Sequence, residues 1–73
     1  MNDQLKLRQI RHSKGFTQEL LAERVGVSAQ TIHRFETGRS SPKLSDLVKI
    51  SRVLGIRLVD LLPVEPSKQP AAA

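Results

Sequence analysis

The 73-residue chain has no cysteine, tryptophan or tyrosine, and only two phenylalanines. Without cysteine there is no disulfide framework, no thiolate metal site and no cysteine nucleophile. Proteins that bind single-stranded nucleic acid stack bases on exposed aromatic side chains. The shortage of aromatic residues therefore argues against that mode of binding.

Long hydrophobic runs are also missing. The apolar segments are too short to span a membrane. The first ten residues, "MNDQLKLRQI", lack the hydrophobic region of a signal peptide. The sequence therefore predicts a cytoplasmic protein with no membrane partner.

Acidic residues are few relative to basic ones. Seven Asp and Glu stand against twelve Lys and Arg, which gives a formal charge of +5. In so small a protein this excess favours an anionic partner, with nucleic acid first and an anionic membrane surface second. The alternative is that the charge serves solubility alone.

The length allows one domain. A chain of this size buries only about 60% of its extended surface, so its monomer is marginally stable and self-association is plausible. Residues 1–62 carry helical patterns and are assigned to this domain. Residues 63–73, "PVEPSKQPAAA", contain three prolines and no apolar period, so they are predicted to form a disordered tail.

Start and stop signals divide the domain into short helices. The first is predicted over residues 3–14, with Leu7, Ile10 and Arg11 on one face. Thr17 is the predicted N-cap of the second, over residues 18–25, and Ser28 caps the third, which runs to Thr37. Gly26 and Gly38 follow these two helices as stops.

The last two segments differ in clarity. A fourth helix is predicted to begin near Lys43, after Pro42, and to end at Gly55. Its inward residues are predicted to be Leu44, Leu47, Ile50, Ser51 and Leu54. For residues 56–62 a helix is favoured, with Leu58, Leu61 and Leu62 inward, but the pattern leaves a strand open.

The short connection "Gly-Val-Ser" between the second and third helices is typical of a helix-turn-helix. Ala22 supports this interpretation, because helices that cross closely after so short a turn need a small side chain where their backbones meet. The third helix is amphipathic: Ile32 and Phe35 form its apolar edge, opposite Gln30, His33, Arg34 and Thr37.

The outward side chains suit the edges of base pairs. Arg34 can donate two hydrogen bonds to guanine, Gln30 can pair with adenine, and Ala29 or the Thr31 methyl can contact thymine. Ser28 and the free N–H groups at the helix start can hold a phosphate. The competing interpretation is an ordinary solvated face, which the helix-turn-helix context makes less favourable.

Other polar residues are candidates for phosphate contacts. Gln18 opens the second helix with its side chain and N–H group expected to be free, so it could clamp a phosphate or be an ordinary polar residue of the first turn. Arg39 and Lys43 follow the third helix and could contact the DNA backbone on the far side of the groove, or could simply be solvated cations of the loop. His33 could bind a base or a phosphate, or be a spectator, and His12 is expected at the surface.

Catalysis and metal binding lack support. Glu19 and Glu23 lie one turn apart on an exposed face, without a His, Cys or Ser arrangement beside them. His12 and His33 lie on different helices, so no metal site and no cofactor are predicted. The sequence does not predict an enzyme.

Four stretches together resemble the Cro and repressor helix-turn-helix family, the XRE-like regulators. They are "LRQIR", "FTQELLAERVGVSAQTIHRFETGR", "SPKLSDLVKISRVLGI" and "LVDLL", within residues 5–62. The resemblance implies an all-α, compact five-helix domain of the lambda-repressor-like type that usually binds palindromic duplex DNA as a homodimer.

The resemblance also implies roles for individual residues. It places the helix from Ser28 in the major groove and pairs Arg11 with Glu36 as a structural ion pair. The implied DNA-contacting positions are Gln18, Ser28, Ala29, Gln30, Thr31, His33 and Arg34.

Several residues depart from the family pattern. Leu20 and Val59 are apolar where polar residues are common, and Arg57 replaces the Ser or Thr that often caps the last helix. Ala29 is shorter than the Gln often found there, so weak base discrimination is expected at that position.

The sequence thus predicts a sequence-specific, homodimeric regulator of transcription, a repressor, that binds a pseudo-palindromic double-stranded operator. The alternative is an antitoxin of a toxin–antitoxin pair. Antitoxins often use the same domain for operator binding and a short tail for the toxin, and residues 63–73 could serve as that tail or be a plain linker.

Overall fold

The computed structural model describes residues 5–62, which form four α-helices and a final single-turn 3-10 helix, with no strand in this part of the chain. The α-helices are α1 (Leu7–Ser13), α2 (Gln18–Val25), α3 (Ala29–Thr37) and α4 (Leu44–Leu54), and the 3-10 helix spans Leu58–Leu61. The described part is therefore all-helical, as predicted. The predicted disordered tail, residues 63–73, lies outside the described residues.

The helix-turn-helix has the predicted bounds because side chains and glycines mark its ends. The Thr17 hydroxyl accepts a hydrogen bond from the Leu20 N–H at 3.0 Å and so caps α2. Ser28 does the same for α3 through the Thr31 N–H at 3.1 Å. Between the helices Gly26 has φ +91°, a left-handed conformation that other residues adopt only with strain.

The first helix is shorter than predicted. It begins at Leu7 rather than at residue 3, and it ends at Ser13; residues 1–4 lie outside the described residues. Lys6 is not helical, and its N–H donates to the Leu61 carbonyl at 2.9 Å. This long-range bond draws the chain before α1 toward the 3-10 helix, and local periodicity does not reveal it.

The fourth helix confirms most of its predicted inward face. Ile50, Ser51 and Leu54 are buried and Leu47 is half-buried. Leu44, also predicted inward, is 67% exposed. Helical side chains lean toward the N-terminus, so the first residue of α4 reaches past the edge of the core.

The expected fifth α-helix is a single 3-10 turn. Leu61 is completely buried, as predicted, while Leu58 and Leu62 are half-buried. Pro63 follows directly and disfavours helical geometry at Leu62, which is extended with ψ 152°. The strand alternative for this segment is also wrong.

One core holds all five elements together. Each contributes one fully buried large side chain: Leu7, Leu21, Ile32, Ile50 and Leu61. Ala22 is 2% exposed, as expected for a small residue at the crossing of α2 and α3. The core therefore fixes the position of α3 relative to the other helices.

No helix among residues 5–62 is long and apolar enough to cross a membrane.

Candidate nucleic-acid interface

The outer side of α3 carries three exposed polar side chains, Gln30, His33 and Arg34, which we call the exposed row. On the opposite side, Ile32 is fully buried and Phe35 is 6% exposed. The helix is thus anchored by two apolar residues, while the exposed row offers an amide, an imidazole and a guanidinium. Such groups match base edges in a major groove.

Thr37 also lies on the outer side of α3 but engages its own helix. Its hydroxyl donates to the His33 carbonyl at 3.0 Å. Serine and threonine commonly make this bond within helices. Thr37 is therefore less suited to base contact than the exposed row.

The start of α3 carries a pair of linked hydroxyl groups. Ser28 Oγ lies 2.9 Å from Thr31 Oγ1 and also accepts from the Thr31 N–H. One of the two hydroxyls donates to the other, so one O–H remains to donate outward. Ser28 is exposed, and Ala29 and Thr31 are half-buried, which leaves this O–H and the helix start open to an anion.

A buried ion pair fixes α3 to α1. Arg11 Nε lies 2.6 Å from Glu36 Oε2, and Arg11 Nη2 donates to Glu36 Oε1 at 3.1 Å. Arg11 Nη1 also donates to the Phe16 carbonyl in the loop before α2, at 2.8 Å. One guanidinium therefore connects α1, the α1–α2 loop and α3, and the two-point geometry restricts rotation of α3.

The side chain of Gln18 is not free, contrary to the sequence-based expectation. Its Nε2 donates to Glu36 Oε1 at 3.0 Å, and the same nitrogen lies 3.4 Å from His33 Nδ1. The carboxylate that binds Arg11 thus also holds the first side chain of α2. A sequence pattern cannot reveal this, because it depends on how α1, α2 and α3 meet.

A groove of about 570 Å³ runs between α1, the start of α2 and α3. Arg8 and His12 line it together with Thr17, Gln18 and His33. Arg8 and His12 were missed as groove residues by the sequence analysis. Arg8 and His12 are four residues apart, and Arg8 is three residues before Arg11. Residues at these spacings share a helix face, so the sequence could have indicated that both flank Arg11.

Arg39 and Lys43 are exposed in the segment between α3 and α4. The backbone N–H of Lys43 donates to Asp46 Oδ2 at 3.1 Å, which stabilises the first turn of α4. Neither residue makes a side-chain hydrogen bond or ion pair among the described residues. Both cations are therefore available to an anionic partner.

Within residues 5–62 no group of three or more His, Cys, Asp or Glu is placed to hold a metal ion. His12 and His33 line the same groove, from α1 and α3 respectively.

A family model described as helix-turn-helix matches residues 7–61, a span that contains α2, α3 and the core built around them. The chain belongs to the XRE-type, Cro/repressor-like helix-turn-helix family. Members of this family are DNA-binding transcriptional regulators, so the predicted family and general function are confirmed.

Individual relatives agree with this family. An uncharacterized helix-turn-helix-type transcriptional regulator of Methanothermobacter thermautotrophicus is 53% identical over 49 residues, which are 67% of this chain and 71% of that protein. The structure of the DNA-binding domain of the P22 c2 repressor gives a TM-score of 0.75 at 27% identity, with 89% of this chain and 96% of that chain covered.

A structure of the biofilm regulator SinR in complex with DNA gives a TM-score of 0.69 at 29% identity. It covers 74% of this chain and 87% of that chain. The lambda-repressor-like fold is therefore shared with proteins that bind DNA.

Proposed function

We propose that this protein is a sequence-specific, homodimeric repressor that places α3 in the major groove of a pseudo-palindromic operator. The observation that carries the proposal is the exposed row, whose three polar groups point away from a helix anchored by Ile32 and Phe35. Its proposed site of action is the cytoplasm.

Affinity and sequence preference come from different residues in this proposal. Arg39, Lys43 and the Ser28–Thr31 hydroxyl pair contact phosphates, which positions the protein without reading sequence. Gln30, Arg34 and His33 contact bases or the groove edge, and Arg34 is the candidate for guanine. Gln18 contributes its backbone N–H at the start of α2, since its side chain is held by Glu36.

The small size of the domain supports a homodimer, and its similarity to a known repressor supports repression. A domain of this size covers few base pairs, and two copies on a two-fold site double the contacts without a second domain. The likeness to the c2 repressor domain, 96% of which is covered, supports occupation of an operator as the mode of action.

The proposal is tested by selecting bound sequences from a pool of random duplexes. We expect two inverted copies of one half-site, centred about 34 Å apart, which is one helical turn. A single asymmetric half-site would argue against the dimer. Failure to enrich any sequence would contradict sequence-specific binding altogether.

A competition experiment tests whether the protein prefers duplex DNA to other nucleic acids. The selected duplex, each of its single strands and an RNA duplex of the same sequence compete for a labelled complex. We expect only the DNA duplex to compete efficiently, because A-form RNA has a deep, narrow major groove that side chains do not enter. Equal competition by RNA would contradict the proposal.

The antitoxin alternative depends on residues 63–73, which lie outside the described residues. Co-purification of a protein encoded beside this one, lost when residues 63–73 are removed, would favour it. The described residues favour the operator-binding role common to both alternatives.

A further inference from the structure

The amide of Gln18 has a defined orientation. Its Nε2 lies 3.0 Å from Glu36 Oε1, an oxygen that also accepts from Arg11. A carboxylate in an ion pair accepts hydrogen bonds and donates none. The NH₂ group of Gln18, not its carbonyl, must therefore face Glu36.

This orientation of the Gln18 amide determines which hydrogen-bonding role His33 Nδ1 can take. The same Gln18 nitrogen lies 3.4 Å from His33 Nδ1, and it can offer only a hydrogen to that ring atom. The contact is a hydrogen bond only in the form in which Nδ1 accepts, that is, when Nδ1 carries no proton. In a neutral imidazole the single proton then resides on Nε2, the other ring nitrogen.

We propose that Gln18 is a positioning residue that holds His33 in the Nε2–H tautomer, and that His33 thereby donates a hydrogen bond to DNA. The inference rests on the proposed function, because it requires α3 to face a duplex. His33 is exposed on α3 and borders the groove at the start of α2. Its Nε2–H suits a phosphate oxygen or any base acceptor of the major groove, namely guanine N7 or O6, adenine N7 or thymine O4. It mismatches the amino groups of adenine and cytosine.

The buried ion pair is part of the same arrangement. Arg11 holds the Glu36 carboxylate at two points, Glu36 orients the Gln18 amide, and Gln18 sets the proton position on His33. A residue of α1 thus controls, through two intermediates, the hydrogen-bonding character of a side chain on the outer side of α3. An ordered network of this kind preorganises the donor before DNA arrives.

The tautomer is measured on the free, full-length protein by long-range ¹H–¹⁵N correlation of the imidazole rings. The measurement is made at a pH of about 8, where an ordinary imidazole is neutral. We expect a single Nε2–H form for His33 and a mixture of tautomers in Gln18→Met, which keeps the side-chain length and removes the donor. A mixture in the unchanged protein, or no effect of Gln18→Met, would overturn the inference.

His12 supplies an internal control in the same spectra. It is exposed on α1 and makes no side-chain hydrogen bond among the described residues. Although His12 lines the same groove as Gln18, the ratio of its two tautomers should be the same in both proteins. A parallel change at His12 would mean that Gln18→Met disturbs the fold, and circular dichroism with Gln18→Ala as a second variant then decides whether His33 responds without that disturbance.

The link to DNA is measured by a double-mutant cycle with the selected duplex. Gln18→Met should weaken binding about two- to tenfold when residue 33 is His, the range for loss of one well-placed hydrogen bond. In a His33→Gln background the amide donates without help from Gln18, so the same change should have little effect. Equal losses in both backgrounds would mean that the Gln18 side chain contacts DNA directly or supports the fold, and would overturn the inference.

The acceptor is identified with His33→Ala on a panel of single-base-pair variants. Uniform weakening on every duplex assigns the bond to a phosphate, and the salt dependence should then stay unchanged because a neutral imidazole neutralises no charge. A loss of preference at one base pair assigns the bond to a base. Either result supports the donor. No weakening on any duplex would overturn it. If the unchanged protein selects no duplex, the proposed function fails instead, and the tautomer measured without DNA is unaffected.

Discussion

At the scale of single residues, Glu36 connects the structure to the candidate interface. It is 6% exposed, and it accepts hydrogen bonds from Arg11 on α1 and from Gln18 on α2. A buried ion pair adds little net stability, but the loss of one partner leaves the other charge buried without compensation. The protein therefore depends on Glu36 more than on any exposed acid.

Glu36→Gln should strongly destabilise the fold. Removing its charge leaves the buried Arg11 guanidinium without a counter-ion, at a cost of about 3–5 kcal/mol. Urea denaturation followed by circular dichroism measures this. The matched control is Glu19→Gln on the exposed side of α2, which should change stability by less than about 0.5 kcal/mol. Similar effects of the two substitutions would contradict the assigned role of the pair.

Arg34→Ala should relax sequence preference at one base pair. An arginine that binds guanine at two points contributes about 1–3 kcal/mol of discrimination there. Affinities of the variant for single-base-pair variants of the selected duplex measure the change. Arg52→Ala on α4 removes the same charge outside the candidate interface and should leave the preference intact. A uniform loss of affinity on every duplex would make Arg34 a phosphate contact.

The sequence indicated which residues form the exposed row, but not the hydrogen bonds that link one of them to neighbouring helices. Gln30, His33 and Arg34 were expected to be outward because Ile32 and Phe35 occupy the other edge of α3, and all three are exposed. Their contacts with DNA stay predictions. The bond from Gln18 to Glu36 was not foreseeable, since the two are 18 residues apart and meet only when α2 and α3 are packed.

At the scale of elements, helices with local end signals were predicted well and those ended by tertiary contacts were not. Thr17, Ser28 and Gly26 set the bounds of α2 and α3 through bonds within a few residues. The chain before α1, by contrast, is held by the bond from Lys6 to Leu61. The expected fifth α-helix gives way to a 3-10 turn before Pro63.

Ser28→Ala should remove the cap of α3. Loss of the hydrogen bond to the Thr31 N–H should cost about 1 kcal/mol. Thermal or urea unfolding measures the cost, and the expected loss of DNA affinity is measured separately. Ser45→Ala is the matched control, because Ser45 is exposed in the first turn of α4 and makes no side-chain hydrogen bond among the described residues. Equal stability of the two variants would contradict the cap.

At the scale of the whole molecule, the formal charge of +5 and the exposed cations near α3 determine how binding responds to salt. Each phosphate that a protein cation neutralises releases counter-ions. The logarithm of the affinity therefore falls linearly with the logarithm of the salt concentration, and the slope is proportional to the number of such contacts. A homodimer makes every such contact twice. The salt dependence of binding therefore reports both the cations that contact phosphates and the number of subunits on the DNA.

Arg39→Ala and Lys43→Ala should each reduce the salt dependence of binding. One lost phosphate contact lowers the slope of log affinity against log salt by about 1, so a dimer should show a decrease of about 2. Titrations at several salt concentrations measure it, with Arg52→Ala as the control. An unchanged slope would exclude the residue as a phosphate contact, and a decrease of about 1 would favour a monomer.

The central claim, that α3 reads the major groove, is tested most directly by methylation interference on the selected duplex. Methylation of guanine N7 alters the major groove, and methylation of adenine N3 alters the minor groove. We predict that guanine methylation within both half-sites prevents binding, that adenine methylation there does not, and that Arg34→Ala removes the interference at one guanine of each half-site. Interference by adenine N3 alone, or by no base at all, would contradict the account.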